Sequence, residues 1–270
     1  MRSIPEDNLA FPTLLTFNNG YSGSGFLLSG NDKIYLITAK HVLFDQGMNI
    51  WGQQITLLVP TKDINDDSKY TISINLQIIS PAYHSTADVA SIELGKTVAN
   101  PDGNGSYLIF NEGIVVVRPG NTPMVWVGSK SGVKLLRDVL VSNDVFLYGY
   151  PTSLGIKDMP QFDYSKPLLR KGIIASVNQT QGTIIIDCPV YYGNSGGPVI
   201  EVDGSSHKVI GVVVQLIPFV EQWVNTKNKL VNEEWANSGY SVVVSMDKVF
   251  ELVGIQADKL NDISSPLVAV

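Results

Sequence analysis

The chain has 270 residues, of which 44% are hydrophobic and 16% charged, and its formal net charge is −6 at pH 7. This length can bury a core that folds without disulfides or metals, and the composition excludes disordered and collagen-like chains. No cluster of Lys or Arg offsets the acidic balance, which argues against a nucleic-acid binder and against a polybasic membrane anchor.

Most apolar runs are short, rich in Val and Ile, and bounded by Gly, Pro, Asn or Asp, which is typical of β-strands. The predicted strands of the first half lie at 14–17, 25–28, 33–38, 55–59, 70–79 and 89–94. The stretch 96–143 is interpreted mainly as linker and loops, with room for a short strand at 113–117. The predicted strands of the second half lie at 145–149, 168–177, 183–187, 197–202, 209–216 and 240–244.

Helical patterns are few. The segment 245–253 begins with Ser245 as an N-cap residue and ends before Gly254, so it predicts a C-terminal helix. The segment 219–235 is predicted to be a second helix or an irregular loop. Two sets of six strands around a linker favour a pair of small barrels, although a sandwich would give a similar pattern.

The chain contains one cysteine, Cys188, and therefore no intramolecular disulfide. A disulfide-free chain of this size suits a reducing compartment. The N-terminal sequence MRSIPEDNLA lacks the apolar core of a secretory signal, and the longest apolar stretch, 209–220, is too short for a membrane-spanning helix. We therefore expect a cytoplasmic protein without a membrane partner.

The strongest motif is Gly-Asn-Ser-Gly-Gly-Pro at 193–198. Its glycines permit positive φ and close backbone approach, so the serine can lie on a tight turn. Such a turn can direct the N–H groups of Gly193 and Ser195 to one point beside the hydroxyl, as an oxyanion hole requires. The predicted oxyanion-hole segment is Gly193, Asn194 and Ser195. The alternative interpretation is an ordinary glycine-rich hairpin turn, which Gly-Gly-Pro alone would favour.

Two further residues carry chemistry together with Ser195. His41 follows an apolar strand directly and is well placed as a general base. Asp88 opens another apolar strand and can be buried against a histidine, which fixes the histidine tautomer. Taken alone, a histidine or an aspartate in such a position more often has a structural role than a catalytic one. His84, four positions before Asp88, is predicted to be a surface or cleft-rim histidine.

In the order His41, Asp88, Ser195, the three segments resemble the chymotrypsin/trypsin-like serine protease family. Further similarity lies at 23–26 (GSGF), 146–151 (FLYGYP), 170–176 (RKGIIAS) and 210–215 (IGVVVQ), the last resembling the strand that lines the substrate cleft. The similarity covers roughly 17–253. It is greatest, by inspection, to bacterial disulfide-free peptidases akin to the catalytic domains of high-temperature-requirement proteases.

The resemblance implies an all-β fold of two six-stranded antiparallel Greek-key β-barrels with a C-terminal helix. The expected divisions are an N-terminal barrel at 1–125 with His41 and Asp88, a C-terminal barrel at 126–256 with Ser195, and a tail at 257–270. It also implies a serine endopeptidase in which His41 is the base, Asp88 the orienting acid and Ser195 the nucleophile. No metal or cofactor is expected.

Departures from the family bear on activation. Secreted members carry Asp at the position of Asn194, where it pairs with an N-terminus released by cleavage of a pro-segment. A neutral Asn194 cannot form that ion pair, so we expect activity without such cleavage. Val214 replaces a Ser that helps to hold the orienting Asp, which leaves the hydrogen bonding of Asp88 open.

The resemblance places the substrate-binding positions at Pro189, Tyr192, Val214, Gln215 and Leu216. Pro189 stands at the pocket base, where no acid is available to select Lys or Arg. Leu216 replaces a small residue and would narrow the pocket, so we expect a small or medium apolar side chain before the scissile bond.

Two rival functions remain open from the sequence. A catalytically silent trypsin-like domain could bind a peptide or protein without cutting it, for example with the cleft blocked by 219–236. An esterase could use the same three residues, although the context of an α/β-hydrolase is absent. The expected partner is a protein or peptide substrate, with a regulatory protein partner left open.

Overall fold

The computed structural model describes residues 3–62, 68–99, 106–120, 123–152, 159–225 and 227–256. Within these ranges the chain is mainly β, with sixteen strands and three short α-helices. No helix in this part of the chain is long and apolar enough to cross a membrane. The predicted tail at 257–270 lies outside the described residues.

The first sheet is curled and has ten strands in the described chain. Its strands are β1 (Pro12–Phe17), β2 (Ser22–Gly30), β3 (Lys33–Thr38), β4 (Gln54–Pro60), β5 (Lys69–Asn75), β6 (Ala82–Tyr83), β7 (Ala90–Ala99), β8 (Ser106–Phe110), β9 (Ile114–Val117) and β10 (Val127–Gly128). The hydrogen-bonded order is β6-β7-β3-β2-β1-β4-β5-β9, with β8 on β7 and β10 on β2. Every second residue of β5 is buried, as expected for a sheet with one face on the core.

The second sheet is a closed barrel of six strands in the order β11-β12-β13-β16-β15-β14. Its strands are β11 (Asp144–Gly149), β12 (Leu168–Asn178), β13 (Thr183–Asp187), β14 (Pro198–Asp203), β15 (Ser206–Asn225) and β16 (Leu230–Ser245). All neighbouring pairs are antiparallel. Fully buried aliphatic side chains, among them Leu147, Ile184 and Val243, fill its interior.

Three α-helices and one 3₁₀ helix (Leu136–Asp138) complete the described chain. The α-helices are α1 (Glu6–Leu9), α2 (Lys40–Leu43) and α3 (Met246–Val253). α3 follows the closed barrel but buries Val249 and Phe250 in the core of the first sheet, so it fastens the two units together. Gly254 ends it in the left-handed conformation with φ 70°. Ser245 lies at the N-cap as predicted, but its buried hydroxyl makes no hydrogen bond to any described residue.

The structure confirms the all-β fold class with a C-terminal helix, as a curled, half-barrel first sheet and a closed second barrel. Within the described residues the first sheet is not closed, and its short strand β10 pairs with β2 in parallel rather than antiparallel. The closed barrel has the six predicted strands, whereas the first sheet adds short strands to its expected six. The predicted strand 70–79 is too long, because Asn75 starts a turn in which its side chain accepts a hydrogen bond from Gln77 N at 2.9 Å. The structure does not test the predicted division at residue 125.

The interpretation of 96–143 as mainly linker was wrong in part. β7 continues to Ala99 and forms a hairpin with β8. The short strand predicted at 113–117 is confirmed as β9, which adds to the edge of β5. Large side chains on these strands, such as Tyr107, Ile109 and Val115, are exposed. These strands lie at sheet edges with exposed apolar side chains, so their sequences lack the alternation of apolar and polar residues that identifies a half-buried strand.

The prediction of a helix or irregular loop at 219–235 was also wrong. β15 and β16 stay paired from Gly211 opposite Ser245 out to Asn225 opposite Leu230. We call the outer part of this hairpin, residues 218–225 and 230–237, the ribbon. Its apolar residues occur on both faces and are exposed, so the alternation that identifies a half-buried strand is missing.

Candidate active site

His41 and Asp88 are brought together by the pairing of β3 with β7. Thr38, the last residue of β3, lies opposite Ala90, the first residue of β7. Because the strands are antiparallel, the segment leaving β3 and the segment entering β7 lie at the same edge of the sheet. The backbone N–H of Lys40 donates to the carbonyl of Asp88 at 3.3 Å, which ties these segments together.

The carboxylate of Asp88 is bound by His41 through both oxygens. Its Oδ2 lies 2.7 Å from His41 Nδ1, and its Oδ1 accepts the backbone N–H of His41 at 3.1 Å. Burial acts to raise the pKa of Asp88, but the hydrogen bonds and charge of His41 outweigh it, and the pKa lies below its usual value. An ionised Asp88 places the proton on Nδ1, which leaves Nε2 free to accept a proton.

An aromatic pair borders these two residues. Trp51 Nε1 donates to the carbonyl of His41 at 3.0 Å. Tyr21 stacks on Trp51 with ring centroids 4.9 Å apart and 25° between the planes. Burial raises the pKa of the Tyr21 hydroxyl, and the negative charge of Asp88 adds to this effect.

Ser195 lies on the turn between β13 and β14. Gly193 has φ 95° and Gly196 has φ 90°, values that favour glycine strongly. A Cβ on Gly196 would lie 2.0 Å from the carbonyl oxygen of Ser24 and 2.2 Å from the hydroxyl of Thr38. Glycine at this position therefore lets the turn press directly against the first sheet.

Ser24, on β2, holds that contact. Its backbone N–H donates to the carbonyl of Ser195 at 3.0 Å, and its hydroxyl donates to the carbonyl of Gly193 at 2.6 Å. The same hydroxyl accepts the N–H of Tyr150 at 2.9 Å. Ser195 is thus held against the first sheet near the end of β3. In the described chain no hydrogen bond joins the Ser195 hydroxyl to His41, and such bonds often tighten only when substrate binds.

The peptide group between Tyr192 and Gly193 has a defined orientation. The carbonyl of Tyr192 accepts hydrogen bonds from Thr152 N at 2.7 Å and from Thr152 Oγ1 at 3.2 Å. Since this peptide bond is trans, the N–H of Gly193 points the opposite way. Among the described residues, neither this N–H nor that of Ser195 has an acceptor. Both N–H groups are therefore unpaired in this part of the chain, as the donors of an oxyanion hole must be before a ligand binds.

Asn194 stabilises the turn from within. Its side chain is 1% exposed, and its Oδ1 accepts the N–H of Tyr191 at 3.0 Å. Its own N–H donates to the carbonyl of Tyr191 at 2.9 Å. The side-chain oxygen and the backbone N–H of Asn194 therefore both form hydrogen bonds within the turn. Activity without cleavage of a pro-segment stays a prediction.

The family model of the trypsin-like peptidase domain matches residues 23–212, which is more than half of the chain. The chain belongs to the trypsin-like peptidase family. The matched residues run from the strand that carries Ser24, through His41 and Asp88, to the turn with Ser195. No curated protein matches the chain. Closeness to the high-temperature-requirement subgroup stays a prediction.

The predicted substrate-binding residues of this trypsin-like peptidase domain lie around the turn. Tyr192 is 74% exposed, and Gln215 is exposed on β15. Val214 is buried, and the half-buried Leu216 packs against the closed-barrel core that includes Cys188. Pro189 is half-buried at the end of β13. These positions are consistent with a narrow, uncharged pocket, which stays a prediction.

His84 has partners other than Ser195. Its Nδ1 accepts the N–H of Ala87 at 2.9 Å, and its Nε2 lies 2.9 Å from a carboxylate oxygen of Glu251 on α3. Hydrogen bonds from Lys248 and His84 hold the pKa of Glu251 below its usual value. His84 therefore links the loop before Asp88 to the C-terminal helix.

Sequence reasoning missed three positioning residues, Ser24, Thr152 and Trp51. Ser24 lies within the GSGF motif that supported the resemblance, but a motif does not show which groups a hydroxyl joins. Thr152 acts mainly through its backbone N–H, which any residue other than proline provides. Trp51 lies ten residues after His41, and no local pattern connects the two.

Proposed function

We propose that this chain is a serine endopeptidase that cleaves peptide bonds through Ser195, His41 and Asp88. The observation that carries the proposal is the orientation of the Tyr192–Gly193 peptide group, which Thr152 fixes from outside the site. With this orientation, the N–H groups of Gly193 and Ser195 are both unpaired in the described chain, which supports their role as oxyanion donors. A collapsed turn, with the Tyr192 carbonyl in that place, would favour the silent alternative.

In the proposed reaction, Ser195 attacks the carbonyl carbon of the scissile peptide bond while His41 Nε2 accepts the hydroxyl proton. The N–H groups of Gly193 and Ser195 stabilise the oxyanion of the tetrahedral intermediate, and each donor contributes about 3 kcal/mol. His41 then gives its proton to the leaving amine. Water attacks the acyl-enzyme by the same route and releases the second product.

Asp88 keeps the imidazole of His41 in the required tautomer and stabilises its charged form. Two hydrogen bonds from His41 hold the carboxylate, so the missing Ser at position 214 does not leave Asp88 without a partner. Pro189 and Leu216 favour a small or medium apolar residue before the scissile bond. A peptide-library profile dominated by basic or acidic residues at that position would contradict this specificity.

The test is intact-mass analysis after treatment with a fluorophosphonate, which reacts with activated serines. We expect one adduct on Ser195 in the wild-type chain and none in Ser195→Ala or His41→Ala. Well-folded wild-type protein without an adduct would contradict the proposal and favour the silent binding module. A panel of matched peptide and ester substrates then separates a peptidase from an esterase.

A further inference from the structure

β15 has a free backbone edge that begins beside the turn carrying Ser195. β14 pairs with β15 only as far as Val212, whereas β16 pairs with the opposite edge as far as Asn225. The backbone of Val213 bonds to Gly196 and Gly197 of the turn. From Val214 outwards, no described strand occupies this edge. An unpaired edge of this kind can accept an extended peptide as an additional strand.

The free edge continues from the proposed cleft onto the ribbon. A peptide whose carbonyl lies at the N–H groups of Gly193 and Ser195 meets β15 at Val214 and can follow it outwards. At about 3.3 Å per residue, the segment 214–225 spans roughly 40 Å. The free edge is therefore long enough to pair with many residues of an extended peptide, not only with the residue before the scissile bond.

The ribbon offers aromatic surface beside this edge. Phe219, Trp223 and Trp235 are 53%, 62% and 66% exposed. Side chains alternate between the faces of a strand, so Phe219, Glu221 and Trp223 share one face. A two-stranded ribbon gains little stability by itself, and large exposed apolar side chains on it indicate a surface that binds a partner.

The ribbon is also acidic. Its two strands, 218–225 and 230–237, contain Glu221, Glu233 and Glu234 but neither Lys nor Arg, whereas Lys227 and Lys229 lie in the turn that joins the strands at the far end. Glu221 lies directly opposite Glu234, and like charges in that arrangement are destabilising. Neither residue has an ion-pair partner within the described ranges. A cationic partner would relieve this repulsion.

A basic polypeptide fits this surface better than a second copy of the chain. Two ribbons placed together would bring their glutamates into contact, and the whole chain carries a net charge of −6. The aliphatic part of a Lys or Arg side chain can instead cover an indole ring while its charge meets a carboxylate.

We infer that the free edge of β15 and the ribbon form an exosite for an extended, basic segment of the substrate on the N-terminal side of the scissile bond. This inference rests on the proposed peptidase function. Glu221 lies seven positions beyond Val214 along β15. The preferred Lys or Arg residues should therefore lie roughly six to nine residues before the scissile bond.

Binding to the full-length Ser195→Ala protein tests the exosite without requiring catalysis. The probes are three fluorescent peptides with the same apolar C-terminal half and an N-terminal half rich in Lys, Gln or Glu. We expect the Lys peptide to bind at least about tenfold more tightly than the Gln peptide at low salt, and the Glu peptide most weakly. Fluorescence anisotropy gives the three dissociation constants.

Substitutions in the ribbon locate the effect. In the Ser195→Ala background, Glu221→Gln with Glu234→Gln should bring the Lys and Gln peptides to equal affinity. Glu112→Gln, which removes an exposed carboxylate near the edge of the first sheet, should not. Trp223→Ala should weaken binding of all three peptides, whereas Tyr107→Ala, an exposed aromatic of the first sheet, should not.

Equal affinity for the three peptides, or equal effects of the ribbon and control substitutions, would overturn the exosite. A concentration-dependent dimer that Trp223→Ala abolishes would overturn it in favour of a second copy of the chain. Fluorophosphonate labelling of the wild type separates the two proposals. If Ser195 is labelled but the three peptides bind equally, only the exosite proposal is wrong. If the Lys peptide binds preferentially but Ser195 is not labelled, the surface still binds basic peptides and the peptidase proposal is wrong.

Discussion

The hydroxyl of Ser24 donates a 2.6 Å hydrogen bond to the carbonyl oxygen of Gly193. The two residues belong to different sheets, and Ser24 is fully buried between them. The same hydroxyl accepts the N–H of Tyr150, so one side chain satisfies a donor and an acceptor of the closed barrel. This relationship fixes the position of the Ser195 turn relative to the strand that leads to His41.

Ser24→Ala should slow fluorophosphonate labelling of Ser195 by about tenfold, because the turn loses its side-chain contact with the first sheet. The half-buried Gly193 carbonyl and the buried Tyr150 N–H would lose a partner, which costs about 1–3 kcal/mol of folding free energy. Labelling rates and urea unfolding measure the two effects. Ser245→Ala is the matched control, since that buried hydroxyl has no hydrogen-bond partner in the part of the chain that the structure describes. Equal labelling of the two variants would contradict the role of Ser24.

Gly193→Ala should reduce the labelling rate by about 10²–10³-fold, the effect of losing one oxyanion donor. A Cβ there would lie 2.3 Å from the carbonyl oxygen of Tyr150 and 2.7 Å from Thr152 N, so the turn must move. Gly20→Ala is the control for the effect of placing alanine at a positive φ. Gly20 has a similar φ of 86°, but the space around its Cβ position is open, so this substitution causes backbone strain without a clash. Comparable losses in both variants would argue against a specific clash at Gly193.

Asp88→Asn should lower the labelling rate and peptide hydrolysis by about 10⁴-fold while the chain stays folded. The amide cannot stabilise a charged His41 and favours the wrong tautomer. Steady-state kinetics and circular dichroism measure activity and folding. A variant with near-wild-type turnover would show that Asp88 does not orient His41.

The lowered pKa of Asp88 also predicts how stability depends on pH. The ionised carboxylate stabilises the fold at pH values above its usual pKa of about 3.9, and this contribution is lost as the pH falls through the folded-state pKa. Between about pH 5 and pH 2, the wild type should therefore lose more unfolding free energy than Asp88→Asn. Urea unfolding at several pH values tests this, and parallel curves would contradict it.

Cys188 should resist alkylation in the folded protein. The residue is fully buried, and burial raises the pKa of its thiol to about 11 against the opposing effect of Arg170. At pH 8 about 0.1% of such a thiol is ionised. We expect no mass increase from iodoacetamide in native protein and one adduct in urea. Rapid modification of the native protein would show that the thiol is accessible.

Much of the fold follows from local patterns. Short Val- and Ile-rich runs between turn residues located β3 and β13 to the residue and the other main strands to within a few residues at most ends, because buried strands require such side chains. The ribbon and β8 were missed because their apolar residues are exposed, and local patterns report burial rather than pairing with a neighbouring strand. The length of β15 is set by its pairing with β16.

The sequence by itself determined the residue types of the site, namely a histidine after a strand, an aspartate before one and a serine between glycines. The tertiary structure decided their relationships. It joined His41 to Asp88 through the pairing of β3 with β7, fastened the Ser195 turn to Ser24, and fixed the Tyr192 carbonyl on Thr152. Each of these contacts connects residues far apart in the chain and involves a backbone group that every residue carries, so no local sequence pattern can encode it.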